Sequence, residues 1–178
     1  MLKILTTPNA ALNAPVKKVN KIDGKIRRLI AEMADTLESQ IDPEGVGLAA
    51  PQVGICLALF ITKPHPKSPI GIYINPKIIE VKTVKKINKK KSKSSSALEG
   101  CLSIPRIWAA VSRPNYILMQ YQTLDGSIRK EVFRDFDAVI IQHEVDHLSG
   151  KLFTKLAIEQ KTVLYAEQED GEFKQIQI

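Results

Sequence analysis

The chain is poor in cysteine, with two, and in tryptophan, with one. Cys56 and Cys101 are too few for a disulfide framework, so both read as thiols of a reducing compartment. No apolar run approaches the ~18 residues that a membrane span needs, and none serves as the core of a signal peptide near the N-terminus. Cytoplasm is the expected location, with no membrane and no DNA partner. Acidic residues are missing from one place in particular. The stretch "VKTVKKINKKKSKSSSA" holds Lys82, Lys85, Lys86, Lys89, Lys90, Lys91 and Lys93 without a single acid. Without those seven, the remaining 19 Lys and Arg equal the 19 Asp and Glu. The net charge of +7 therefore sits in one segment and says little about the rest of the chain.

What is present has the composition of a globular domain: 44% hydrophobic and 25% charged over 178 residues, enough for a sizeable core. In "DGKIRRLIAEMADTLESQ", Ile26, Leu29, Ile30, Met33 and Leu37 form one helical stripe that Asp42-Pro43 closes. The segments "ICLALFITK" and "IGIYINPKIIEV" read as strands, the second broken at Asn75-Pro76. "YILMQYQTLDGSIRKEVF" reads as a hairpin turning at Asp125-Gly126. A second helix follows, capped by Asp135 and ended by Gly150. Its apolar residues point in nearly every direction, the pattern of a buried helix. The closing "EFKQIQI" alternates like a strand. The expected class is α+β, with antiparallel strands surrounding a buried central helix. One domain is expected over residues 1–178, with a basic Lys/Ser-rich loop, a long hairpin tip or disordered, at about 82–97.

Three stretches carry chemistry. "QHEVDH" puts His143 and His147 one turn apart on the apolar helix, where both imidazoles can reach one divalent ion. Glu144, about 100° round the helix, can reach a water without ligating. Two histidines leave a catalytic site one protein ligand short. Downstream acids in the weakly patterned tail are one source of it; Cys101 in "EGCLS" is another, although alone it reads as a small buried apolar residue rather than a ligand. "GVGLAAPQVG" is a small-residue turn ending near Gln52, an amide able to donate to a developing oxyanion. It lacks the Lys-Ser/Thr ending of a phosphate loop.

In this order, "GVGLAAPQ", "EGCLS" and "QHEVDH" resemble the three signature motifs of the peptide deformylase family. The resemblance extends through "ILTTPNAALNAPVKKV" and "IYINPKIIEV" to roughly residues 3–155. It implies a metal-dependent hydrolase that removes the formyl group from N-terminal formylmethionine of new proteins and releases formate. Cys101, His143 and His147 would be the ligands of one divalent ion, Fe²⁺ foremost, with Zn²⁺, Ni²⁺ or Co²⁺ able to replace it. Glu144 would move protons, while Gln52 and the Leu102 N–H would polarise the formyl oxygen. Val46, Gly47 and Gly100 would hold the peptide backbone, and Phe136, Val139 and Ile140 would form the methionine slot. Partners would be formylmethionyl peptides and nascent chains, with the lysine stretch as an arm toward ribosomal RNA.

Arg106, Trp108 and Ala109, in "RIWAAVSRP", depart from the family pattern after the cysteine motif, so the resemblance does not carry the preference for side chains beyond methionine. Two other classes compete. A zinc peptidase with the same histidine motif needs a third ligand from the tail and gives Cys101 and Gln52 no role. A basic RNA-binding module has charge in one loop only and no interleaved aromatics for stacking.

Overall fold

The computed structural model describes residues 1–84 and 98–176. The basic loop expected at about 82–97 therefore lies almost wholly outside the described residues. Lys82 does not: it is the last residue of a strand, paired with Glu80 at 2.6 Å.

Helix α1 (Gly24–Glu38) begins where the Asp23 carboxylate accepts from the backbone N–H groups of Lys25 and Ile26. It ends at Ser39, before Asp42-Pro43 is reached. A five-stranded antiparallel sheet follows in the order β1 (Gly47–Ala49), β2 (Leu59–Thr62), β3 (Gly71–Lys82), β6 (Tyr116–Gln122), β7 (Ile128–Arg134). A second, four-stranded antiparallel sheet runs β4 (Glu99–Cys101), β5 (Ile104–Ala109), β8 (Leu164–Glu167), β9 (Phe173–Ile176). Helices α2 (Asp135–Leu148) and α3 (Phe153–Glu159) complete a mixed fold of antiparallel sheets and three helices.

Strand β2 is buried at all four residues because both faces of its sheet are covered. Leu59 and Ile61 pack with Ile30, Met33 and Leu37 of α1, while Phe60, between them, packs with Ala138 and Ile141 of α2. The period of two in the strand thus divides its side chains between two cores. The neighbouring pairs Leu48/Ala49 and Ile74/Tyr73 divide in the same way.

Three local expectations change. Strand β3 is not broken at Asn75-Pro76; it runs through with a register shift between Ile74 and Lys77. Asn75 sits at φ +51°, its backbone N–H donating to Ala58 O and its side-chain amide tied to both Val19 N and Val19 O. Asp135 is not the cap of α2 but its first residue, with Arg134 at the N-cap and no side-chain capping bond. And Phe136 is 47% exposed. The helix is apolar on two sides for two reasons: Ala138 and Ile141 face the sheet, whereas Phe136, Val139 and Ile140 line a cleft. Gly150, at φ +66°, follows the C-cap Ser149, a left-handed position that suits glycine.

Candidate metal centre

Two elements that are distant in the chain meet at one point. Strand β4 ends on Cys101, and α2 brings His143 and His147 to the same side one turn apart. One ligand-capable atom from each of the three residues lies within 4.8 Å of the others, and Cys101 Sγ is 3.2 Å from His147 Nε2. Donors around a four-coordinate ion with S and N ligands stand about 3.3–3.6 Å apart, so the three atoms are near enough for one ion to gather them. The donor chemistry fits as well. Glu99 Oε1 is 2.7 Å from His143 Nδ1, so that nitrogen is engaged and Nε2 is the one left to face an ion. Burial and the neighbouring His143 hold the His147 ring well below its usual pKa, so it is neutral and able to ligate. Both cysteines are free thiols.

A buried acid–base cluster supports the ligands. Arg113 donates to Glu99 through Nε at 2.8 Å and Nη2 at 2.7 Å, and to Asp146 through Nη1 at 2.8 Å. Burial alone would raise the Glu99 carboxyl; the bonds from Arg113 and His143 instead bring it to about 2. Glu99 is therefore a fixed anion behind His143. Arg113 and Glu99 escaped the sequence reading, although an acid two residues before a candidate ligand was a usable signal. Asp146 is placed as a partner of Arg113.

Gln52 belongs to a 3₁₀ turn (Ala50–Val53) that follows β1. Its Oε1 accepts from Ala49 N at 2.8 Å, so the amide's donor end is the one toward the centre: Nε2 stands 3.6 Å from Cys101 Sγ and 3.2 Å from Ser103 Oγ. Glu144 is 3% exposed, and its Oε2 has no hydrogen-bond partner among the described residues. Burial pushes its carboxyl up to about 7. Gly47 is required here, because a Cβ at that position would overlap the Glu144 carboxylate.

These groups open on one cleft of about 650 Å³. Its lining includes Gln52, Leu102, Cys101, His143 and Glu144, together with all six residues expected to bind peptide: Val46, Gly47, Gly100, Phe136, Val139 and Ile140. His65 is an exposed loop residue, its ring 6.4 Å from that of Phe136. Among the described residues no helix is long and apolar enough to cross a membrane.

A family model described as polypeptide deformylase matches residues 1–163. A peptide deformylase of Buchnera aphidicola subsp. Acyrthosiphon pisum is 40% identical over 155 residues, 86% of this chain and 82% of that protein. The crystal structure of peptide deformylase from Thermotoga maritima superposes with a TM-score of 0.74 at 32% identity, covering 88% of this chain and 97% of the other. That of a Synechococcus elongatus peptide deformylase in complex with actinonin gives 0.73 at 30% identity, with 90% and 88% covered. With both its sequence and its fold matched over most of their length, the chain belongs to the polypeptide deformylase family.

Proposed function

We propose that the chain hydrolyses the formyl amide of N-formylmethionyl peptides and nascent proteins, releasing formate and a free amino terminus. The observation that carries this reading is a Cys–His–His donor set whose Cys101 and His143 line one apolar cleft together with an oriented glutamine donor and a buried glutamate. In this reading the whole chain, residues 1–178, works as one catalytic domain. Helix α2 is its central element, with a sheet on one side and the cleft on the other.

Cys101 Sγ and the imidazoles of His143 and His147 would hold one divalent ion, for which we propose Fe²⁺, with Zn²⁺, Ni²⁺ or Co²⁺ able to replace it. Such an ion supplies Lewis acidity, bringing the pKa of a water towards ~7 and polarising a carbonyl. The remaining work is done by the protein. The Glu144 carboxylate accepts a proton from the attacking water and returns it to the departing amine nitrogen. Gln52 Nε2 and the Leu102 N–H donate to the formyl oxygen as it gains charge, each worth ~2.7–4 kcal/mol when well placed. Val46, Gly47 and Gly100 hold the peptide backbone, and Phe136, Val139 and Ile140 enclose the methionine side chain.

Anaerobic purification with metal analysis, paired with formate release from a short formyl-Met peptide, tests the reading. One ion per chain and turnover abolished by a chelator are expected. A metal-loaded chain that releases no formate would overturn it. The lysine stretch is proposed as an electrostatic arm for ribosomal RNA, since it carries the whole net charge. Exchanging its lysines for serine should weaken ribosome binding and flatten its salt dependence while short-peptide turnover stays constant. Equal binding of both forms at low salt would reduce the arm to a loop.

A further inference from the structure

Residues 164–176 form the β8–β9 hairpin, beyond the end of the family match at residue 163. The hairpin extends the four-stranded sheet by pairing β8 with β5. Register lines Gly100, Trp108 and Tyr165 up across β4, β5 and β8, with their side-chain positions on one face. Glu167 lies two residues beyond Tyr165 on that face, directly opposite Phe173.

The side chains on this face are joined. Glu167 Oε2 accepts from Trp108 Nε1 at 2.7 Å, and the Phe173 ring meets the indole edge-on at 6.0 Å. On its other side the indole lies over Gly100, where a Cβ would come within 2.7 Å of the ring. Gly100 is the neighbour of the ligand Cys101, and both Gly100 and Trp108 line the cleft. The hairpin therefore holds the chain's single tryptophan against the cleft, next to the backbone proposed to hold peptide.

We propose that Trp108 is a specificity-determining residue for the amino acid that follows methionine, favouring an aromatic side chain, with Glu167 and Phe173 as its positioning residues. The proposal rests on the deformylase reading. One extended residue advances ~3.3 Å, so the side chain after methionine falls within reach of a ring packed on the residue before Cys101. The indole N–H is committed to Glu167 and the ring is packed by Phe173 and Gly100, which leaves the part of the indole that lines the cleft for an aromatic side chain of the peptide. Without that hydrogen bond and the Phe173 contact, the ring would be free to turn about its side-chain torsions, and the selective wall would be lost.

The test compares formyl-Met-Phe and formyl-Met-Ala amides on the metal-loaded full chain. The wild type should favour the phenylalanine peptide by about two- to tenfold in kcat/KM, mostly through KM, as one aromatic contact allows. In Trp108→Ala, Glu167→Gln and Phe173→Ala the ratio should fall towards one, and Trp108→Phe should keep part of it. Glu167 ends β8 and Phe173 begins the edge strand β9, so their variants at the hairpin's turn keep the test open should Trp108→Ala fail to fold. The single tryptophan offers a second readout: Met-Phe amide should change its emission, and Met amide should not. A wild type that deformylates both peptides equally, or variants that keep its ratio, would overturn the role of Trp108. A wild type that releases no formate from either peptide would instead overturn the deformylase reading.

Discussion

The two sheets differ in what they bury. The five-stranded sheet buries almost only apolar side chains, sharing them between α1 on one face and α2 on the other. Near the start of the four-stranded sheet a carboxylate, a guanidinium and two imidazoles are packed together instead. An apolar core is non-directional and tolerates neighbours of similar volume; a buried polar cluster is stable only when every member is paired. The first sheet thus supplies a rigid platform for α2, and the second supplies orientation for the ligands. Stability and chemistry should therefore separate under mutation.

The largest expected effect is catalytic. Glu144→Gln keeps the shape of the side chain and removes its proton transfer, so turnover should fall by about 10²–10⁴-fold while metal content stays at one per chain. Loss of the metal in that variant would move Glu144 among the ligands. In the five-stranded sheet, Leu59→Ala should instead lower stability by ~2–5 kcal/mol, because Leu59 is wholly buried between β2 and α1. Denaturant midpoints would measure this, and kcat per folded chain should hardly move; a large drop in kcat would join the two regions. Gln52→Ala should lower kcat by ~10²-fold or more with little change in KM, since its donor counts most in the transition state. An effect on KM alone would make Gln52 a substrate-binding group.

The same contrast decides what was legible in the sequence. Helix α1, the β6–β7 hairpin and the helical histidine pair follow from local periodicity and the Asp125-Gly126 turn, because each is set by residues within a few positions of one another. The three-residue strands β1 and β4 and the short α3 of about two turns carry too few residues for a period to show. The break expected in β3 is a register shift instead, with Asn75 at positive φ bonded to Val19, a residue 56 positions away that local pattern does not reveal. Arg113 stands 14 residues from Glu99 and 33 from Asp146, so nothing in its surroundings in the chain announces a role. The ligand trio was legible only through three motifs taken together, whereas the cleft's Trp108 wall depends on a tail whose sequence pattern is weak.

The smallest effect, and the sharpest test of the contrast, lies at Glu99. Its carboxylate touches His143 Nδ1 on one side and Arg113 on the other, without being a member of the donor set. Glu99→Gln preserves an oxygen able to accept from the imidazole but removes the negative charge that makes His143 a stronger donor. Metal affinity should fall by about 10–100-fold, read by competition with a chromogenic chelator. Arg113 retains Asp146 at 2.8 Å, so the guanidinium keeps a charged partner. The loss of stability should then remain below that of Leu59→Ala, whereas Arg113→Ala, which strands a buried carboxylate, should cost more, ~3–5 kcal/mol. If Glu99→Gln unfolds the chain as readily as Arg113→Ala while the folded fraction binds metal at wild-type affinity, the cluster is a structural core like the one in the larger sheet, and the division between the two sheets does not hold.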